Sequence, residues 1–162
     1  MKITSSYKVQ IKQYRHIFDD TVRIYRDAVD FLISVCLENW NEISALDGML
    51  LRKSYVENLI HKTKEHPHPK YEFDAVFYKF PSYLRRDAIA CAIGKVSSHK
   101  SSLSNWEASD MTTRGAEPGI PKAGFEFPCM YKTVMYQRTD EYSCKVKVWI
   151  RNTWDWISLQ LR

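Results

Sequence analysis

The chain has no phosphate-binding glycine loop, no dinucleotide fingerprint and no nucleophile motif. Its four cysteines, Cys36, Cys91, Cys129 and Cys144, include no C-x-x-C pair, which sets aside zinc-ribbon and disulfide-framework spacing. They read as free thiols in a reducing compartment. The opening MKITSSYKVQ lacks the apolar core of a signal peptide, and no run approaches a membrane span. These absences give the expectation of a cytoplasmic protein without a membrane partner. There is no internal repeat and no low-complexity tract. The acidic residues sit mostly on the first helical segment at solvent-face spacing, so nothing resembles a paired-carboxylate centre. The chain reads as a binder, with no catalytic centre of its own.

What is present is a core-forming composition. Of 162 residues, 44% are hydrophobic and 14% aromatic, enough for one domain or a small domain carrying an insertion. The formal charge of +5 favours an anionic partner, and its distribution is uneven. Residues 1–16 hold four basic and no acidic side chains, and residues 120–162 hold seven basic against four acidic. The two ends thus carry +7, and everything between them carries −2. If the ends fold together, they make the basic surface.

The hydrophobic period changes along the chain. MKITSSYKVQIKQ alternates, with Ile3, Tyr7, Val9 and Ile11 on one face and a polar, cationic row on the other, as in a half-buried strand. From Asp19, three-and-four spacing of Val22, Tyr25, Val29, Leu32, Cys36 and Ile43 predicts one helix, with Asp19 and Asp20 suited to its start. LDG breaks it, and MLLRKSYVENLIHKTKE predicts a second. HPHPK is then a loop. Ser82 is placed to cap a third helix running to Glu107, and residues 108–128, rich in glycine and proline, read as an extended linker. Period two returns in SCKVKVWIRN and in the final segment, where Ile157, Leu159 and Leu161 point together; RTDEY is a hairpin turn.

The expected fold is therefore α+β. N- and C-terminal strands (1–16 and 129–162) form a small antiparallel, OB-like β-barrel, and a three-helix bundle (17–107) is inserted between them. Lys145, Lys147 and Arg151 around Trp149 combine phosphate-pairing cations with a ring on which a base stacks. The same face equally fits a solvated strand with Trp149 covered by helices. The third helix crowds serine, lysine, histidine and asparagine on its polar side, which suits phosphates and 2′-hydroxyls or is a plain helix exterior. Arg85 and Arg86 reach phosphate or pair with acids. Trp106, Trp154 and Trp156 read as core. His61, His66 and His68 lie in or beside the HPHPK loop with no further ligand cluster, so they read as surface residues and not as a metal site.

SSYKVQIK, KFPSYLRRDAIACAIGKVSSHKSSLSNWE, PGIPKAGFEFPCMY and CKVKVWIRNTWDWISLQLR together resemble the N-terminal half of TnpB-type proteins. These are transposon-encoded, RNA-guided DNA endonucleases, often named transposases, and relatives of the type V CRISPR effectors. The resemblance implies a wedge barrel interrupted by a helical recognition region, with guide RNA and duplex DNA bearing a short target-adjacent motif as partners. It also implies a RuvC-like nuclease domain with metal-binding carboxylates and a zinc finger beyond Arg162, so that this chain is a truncated copy, one half of a split protein or an excised fragment. On that view the divalent metal belongs to the nuclease half and not to this chain, and Asp155 precedes the first catalytic aspartate. The residues expected to contact nucleic acid, as a set, are Lys8, Lys12, Arg85, Arg86, Lys95, His99, Lys100, Lys145, Lys147, Trp149 and Arg151.

Overall fold

A computed structural model describes residues 8–12, 16–130 and 134–162. It is mixed α+β, with five helices and a three-stranded antiparallel sheet among the described residues. The chain divides into two units, Met1–Thr21 with Met130–Arg162, and Val22–Cys129. Among the described residues no helix is long and apolar enough to cross a membrane.

The Val22–Cys129 unit is helical. Helix α1 (Asp19–Glu38) begins with two aspartates, which favour the positive end of its dipole. Its apolar stripe is the one the spacing predicts: Tyr25, Val29, Leu32 and Cys36 are buried. The single long helix expected here is broken at Asn39, and Ile43 is buried from a separate short helix, α2 (Trp40–Ala45). The reason is local. Asn39 Nδ2 donates to the Val35 carbonyl at 2.7 Å and to Tyr71 Oη at 2.7 Å, while its Oδ1 accepts Lys70 Nζ at 2.9 Å. An asparagine side chain competing for backbone groups is a helix breaker.

Helix α3 (Gly48–Ile60) starts at the LDG break, where Gly48 takes φ 79°, a region that glycine enters without penalty. It stops before HKTKE. His61 is extended, and a turn closes through Thr63 and His66, the residue before Pro67 being biased away from helix. Helix α4 (Phe73–Val76), absent from the sequence expectation, is one turn held by rings. Phe73 packs against Phe31, Phe77 and Phe80 with centroids 4.7–5.7 Å apart.

Helix α5 (Ser82–Ala108) buries Leu84, Ala88, Ile89, Ala92, Ile93 and Val96. Ser82 is its first helical residue and not its cap. Pro81 occupies that position, its carbonyl accepting the Arg85 amide at 2.9 Å. Residues 109–129 form no helix or strand and make up a strap.

The other unit is built on a hairpin. Strands β1 (Tyr136–Arg138), β2 (Ser143–Ile150) and β3 (Thr153–Gln160) pair in that order. Cys144, Val146, Val148 and Leu159 are its buried core, flanked by Ile11, Ile17, Phe18, Tyr136, Ile157 and Leu161. Ile11 bridges Leu161 antiparallel, with the Lys12 amide donating to Gln160 O and the Arg162 amide to Gln10 O, each at 2.8 Å. The rest of the expected first strand, residues 1–7 and 13–15, lies outside the described residues. The described sheet is open and not a closed barrel. Strand β1 is only three residues long, so past it the edge of β2 is served by other groups. The Met135 carbonyl accepts the Lys147 amide, and Thr21 Oγ1, fully buried, accepts the Trp149 amide, both at 2.8 Å.

Gly94 lies in the middle of α5, and a Cβ built there meets nothing within 4 Å. Gly94→Ala is therefore expected to stabilise the protein by about 0.5–1 kcal/mol, read as a higher denaturation midpoint at unchanged m-value.

Candidate nucleic-acid interface

Alternation along β2 and β3 sorts their side chains by parity. Cys144, Val146 and Val148 face the core with Leu159 and Ile157 opposite. The other face therefore carries Lys145 opposite Ser158, Lys147 opposite Trp156, and Trp149 opposite Trp154. Gln137 of β1 joins it beside Lys145. Among the described strand residues no carboxylate stands on this face. Asp155, the single acid of the two long strands, has the parity of the core and lies opposite Val148. The Trp149 and Trp154 rings meet edge to face at 5.6 Å. Trp154 is 8% exposed, while Trp149, Trp156 and Lys147 are half-buried and Lys145 is open to solvent.

The β2–β3 turn is two residues, Arg151 and Asn152, with φ of 48° and 66°. That is the geometry of a tight hairpin turn whose twist matches the strands. Asparagine enters it readily, but arginine carries a steric cost. Arg151 adds a third cation, exposed, at the end of the tryptophan face, and among the described residues no acid pairs with Arg151, Lys145 or Lys147.

Lys8 and Lys12 are exposed in the same unit. Lys8 lines a cleft of about 280 Å³ with Tyr136, Arg138, Glu141, Tyr142 and Arg162. Arg138 is oriented there by two carbonyls, donating from Nε to Asp140 O and from Nη2 to Glu141 O. Arg138 and Arg162 were outside the sequence expectation because only the hairpin brings them to Lys8. Of the tryptophans expected in the core, Trp154 is buried, while Trp156 and Trp106 are only half-buried.

Residues Met1–Thr21 and Met130–Arg162 hold ten basic and five acidic side chains, whereas Val22–Cys129 holds fourteen of each. The whole net charge thus belongs to the sheet unit. The candidates in the helical unit are mostly engaged in ion pairs. Arg85 is 5% exposed; its Nη2 bonds Glu57 Oε1 at 3.0 Å and its Nη1 approaches Asp74 Oδ1 at 3.8 Å. Arg86 is exposed, leaning toward Glu57 at 3.6 Å and over the Tyr83 ring. Lys95 pairs with Glu126 and donates to the Lys122 carbonyl. Burial alone would raise the Glu126 carboxyl, but Lys95 and the Gly124 amide hold it below the usual range. His99, half-buried, lines an open cleft of about 400 Å³ with Ser98, Ser102 and Pro118, Gly119 and Pro121 of the strap, and Lys100 is half-buried on the same helix.

His66 and His68 line a third cleft with Tyr55, Glu65 and Lys70. Among the described residues no group of three or more His, Cys, Asp or Glu is arranged to hold a metal ion.

Arg85 is a buried cation held by acids from α3 and α4, and removing it leaves the largely buried Glu57 with only its longer contact to Arg86. Arg85→Ala is expected to cost about 3–5 kcal/mol of stability. Denaturant unfolding reads this, and a loss within 0.5 kcal/mol of zero (the scale of an ordinary surface change) would contradict the structural role.

Comparison with known proteins places the chain in a family without supplying an activity. No solved structure matches it. An uncharacterized protein of Aquifex aeolicus (strain VF5) is 27% identical over 135 residues, covering 76% of each chain. The profile of the Aq_aa04 family matches residues 3–150, which takes in the helical unit and the part of the sheet unit before β3. On that extent of match, the chain belongs to the Aq_aa04 family.

Proposed function

We propose that this protein binds nucleic acid through the lysine–tryptophan face of its sheet. The observation that carries this reading is the in-register pairing of Lys147 with Trp156 and Trp149 with Trp154 on a face whose described strand residues include no carboxylate. Cations alternating with flat rings are what a single strand or a splayed loop needs. Lysines neutralise successive phosphates and release counterions, and the rings accept unstacked bases. Arg151 supports the reading from another direction: a residue held at positive φ where asparagine would be easier is commonly kept for its side chain.

On the resemblance to TnpB-type proteins, the finer form of the proposal makes the sheet, with the N-terminal segment, part of a wedge barrel. It holds guide RNA and target-adjacent DNA, while the helical unit borders the heteroduplex. Strand cleavage is then the task of a RuvC-like nuclease half.

A second reading is a protein-interaction module. It is favoured by the start of α3, where Met49, Leu50 and Leu51 are all exposed, Leu50 at 77%. A run of open apolar side chains of this kind marks docking surfaces.

Fluorescence anisotropy with single-stranded RNA, duplex DNA and an RNA–DNA heteroduplex separates these readings. Nucleic-acid binding predicts an affinity that falls steeply with salt. Lys145→Gln with Lys147→Gln is expected to reduce the log–log slope by roughly 2, at about one unit per lost phosphate contact. Trp149→Ala is expected to weaken single-strand binding by about 1–3 kcal/mol, or 5- to 150-fold, with the salt slope kept. A flat salt response, with a stoichiometric protein partner abolished by Leu50→Asp, would instead establish the interaction module.

Arg151→Asn separates strain from use. It is expected to stabilise the hairpin by roughly 0.5–1 kcal/mol while lowering nucleic-acid affinity. Higher stability at unchanged affinity would remove Arg151 from the binding surface.

A further inference from the structure

Helix α5 presents Asp87, Cys91 and Lys95 at four-residue steps, so the three form one stripe. The strap runs antiparallel along it. Glu126 pairs with Lys95 at one end, and at the other the Cys129 amide donates to Asp87 Oδ2 at 3.4 Å. The eight-residue step from Asp87 to Lys95 advances about 12 Å, and three extended residues span roughly 10 Å, so Cys91 falls between the two anchor points. Cys91 is thus one turn from Asp87, and Cys129 is hydrogen-bonded to it. The same carboxylate oxygen accepts the Tyr25 hydroxyl at 2.6 Å, which fixes its position. Burial and then the Asp87 charge push the Cys129 thiol up, its S–H also bonding that carboxylate. The Cys91 thiol is raised by burial first, with Glu126, Asp87 and Cys129 adding to it and Lys95 opposing. Both are free thiols, Cys129 exposed and Cys91 partly so, whereas Cys36 and Cys144 are buried.

We propose that Cys91 and Cys129 form an oxidation site, at which a hydroperoxide closes a disulfide that pins the strap to α5. The Cys129 sulfur attacks a peroxide oxygen; the S–O bond forms, the O–O bond breaks, and the departing oxygen leaves with the electron pair. The thiol proton passes by way of Asp87 to that oxygen, which leaves as water when the oxidant is hydrogen peroxide. The Cys91 sulfur then attacks the sulfenic sulfur. The S–S bond forms, the S–OH bond breaks, and the second thiol proton leaves in a second water. Two sulfurs each give up one electron, and the peroxide takes up two. In the reduced protein the strap is held at this end by the Glu126–Lys95 pair, the Cys129 amide and the Arg26 guanidinium over the Phe127 ring, and it displays Phe125 with 92% of its surface open. The covalent bond closes a loop of about 40 residues, a length at which cross-links restrict the unfolded chain strongly.

The test uses the whole chain, reduced and then treated with hydrogen peroxide. Remaining thiols are alkylated after unfolding, and the protein is digested without reductant for mass spectrometry. The expected result is a dominant Cys91–Cys129 linked peptide with Cys36 and Cys144 alkylated. It should be accompanied by a rise in thermal midpoint of roughly 5–10 °C that a reductant reverses. Proteolysis within residues 109–128 should slow at least tenfold, the order set by loss of local opening. In Cys91→Ser the reaction should stop at a Cys129 sulfenic acid that dimedone captures. Cys129 recovered only as sulfinic acid or in intermolecular dimers would overturn the proposal. So would failure of dibromobimane to bridge the two thiols in the reduced, folded protein, a reading independent of any oxidant.

Discussion

The register of the β2–β3 hairpin is the constraint on which the sheet unit depends. With side chains alternating at period two, slipping the pairing by one residue would exchange the faces of β3. Slipped one way, Trp154 and Trp156 would stand opposite Val148 and Val146, and Leu159 opposite Ser143. The two-residue turn at Arg151 and Asn152 fixes that register, since both residues take positive φ and no longer loop intervenes. At the open end Ile11 bridges Leu161 on the β3 side, and near the turn Thr21 Oγ1 receives the Trp149 amide on the β2 side, so the register is held from both edges of the hairpin. Aromatic and cationic side chains come together as a consequence of backbone pairing, with no dedicated loop to gather them.

The helical unit is organised differently. Its net charge is zero, and many of its cations are tied to acids: Arg85 and Arg86 to Glu57, Lys95 to Glu126, and Arg23 to Asp27. Where such a pair is buried it fixes geometry more than it adds stability. Arg85 bridges α3, α4 and α5, and Lys95 fastens the strap to α5. Asp30 and Arg26 add further anchors, through the Ala123 amide and the Glu126 carbonyl. The strap is therefore held chiefly by side chains reaching from α1 and α5. This arrangement is specific in position yet leaves Phe125 and Phe127 exposed.

Much of the architecture was legible in residue order. The stripes of α1 and α5 were read correctly at Tyr25, Val29, Leu32, Ala88, Ala92 and Val96, because burying one helix face leaves a period that no surface choice erases. The break at Asn39 was not legible, since it requires Lys70 and Tyr71, more than thirty residues away, to satisfy the side chain that ends the helix. Helix α4 was missed for the same reason: one turn has no period to read, and its stability comes from rings on α1 and after α4.

The candidate site divides in the same way. The sequence by itself determined the parity of Lys145, Lys147 and Trp149, because alternation is a property of the strand alone. It also determined that positive charge gathers at the two ends of the chain. Only tertiary structure decided which cations are free to act. It buried Arg85 against Glu57, tied Lys95 to Glu126, and set Trp154 and Trp156 beside Trp149 and Lys147. Pairing of this kind depends on which residues meet across strands and helices, and contact between distant positions leaves no trace in local spacing.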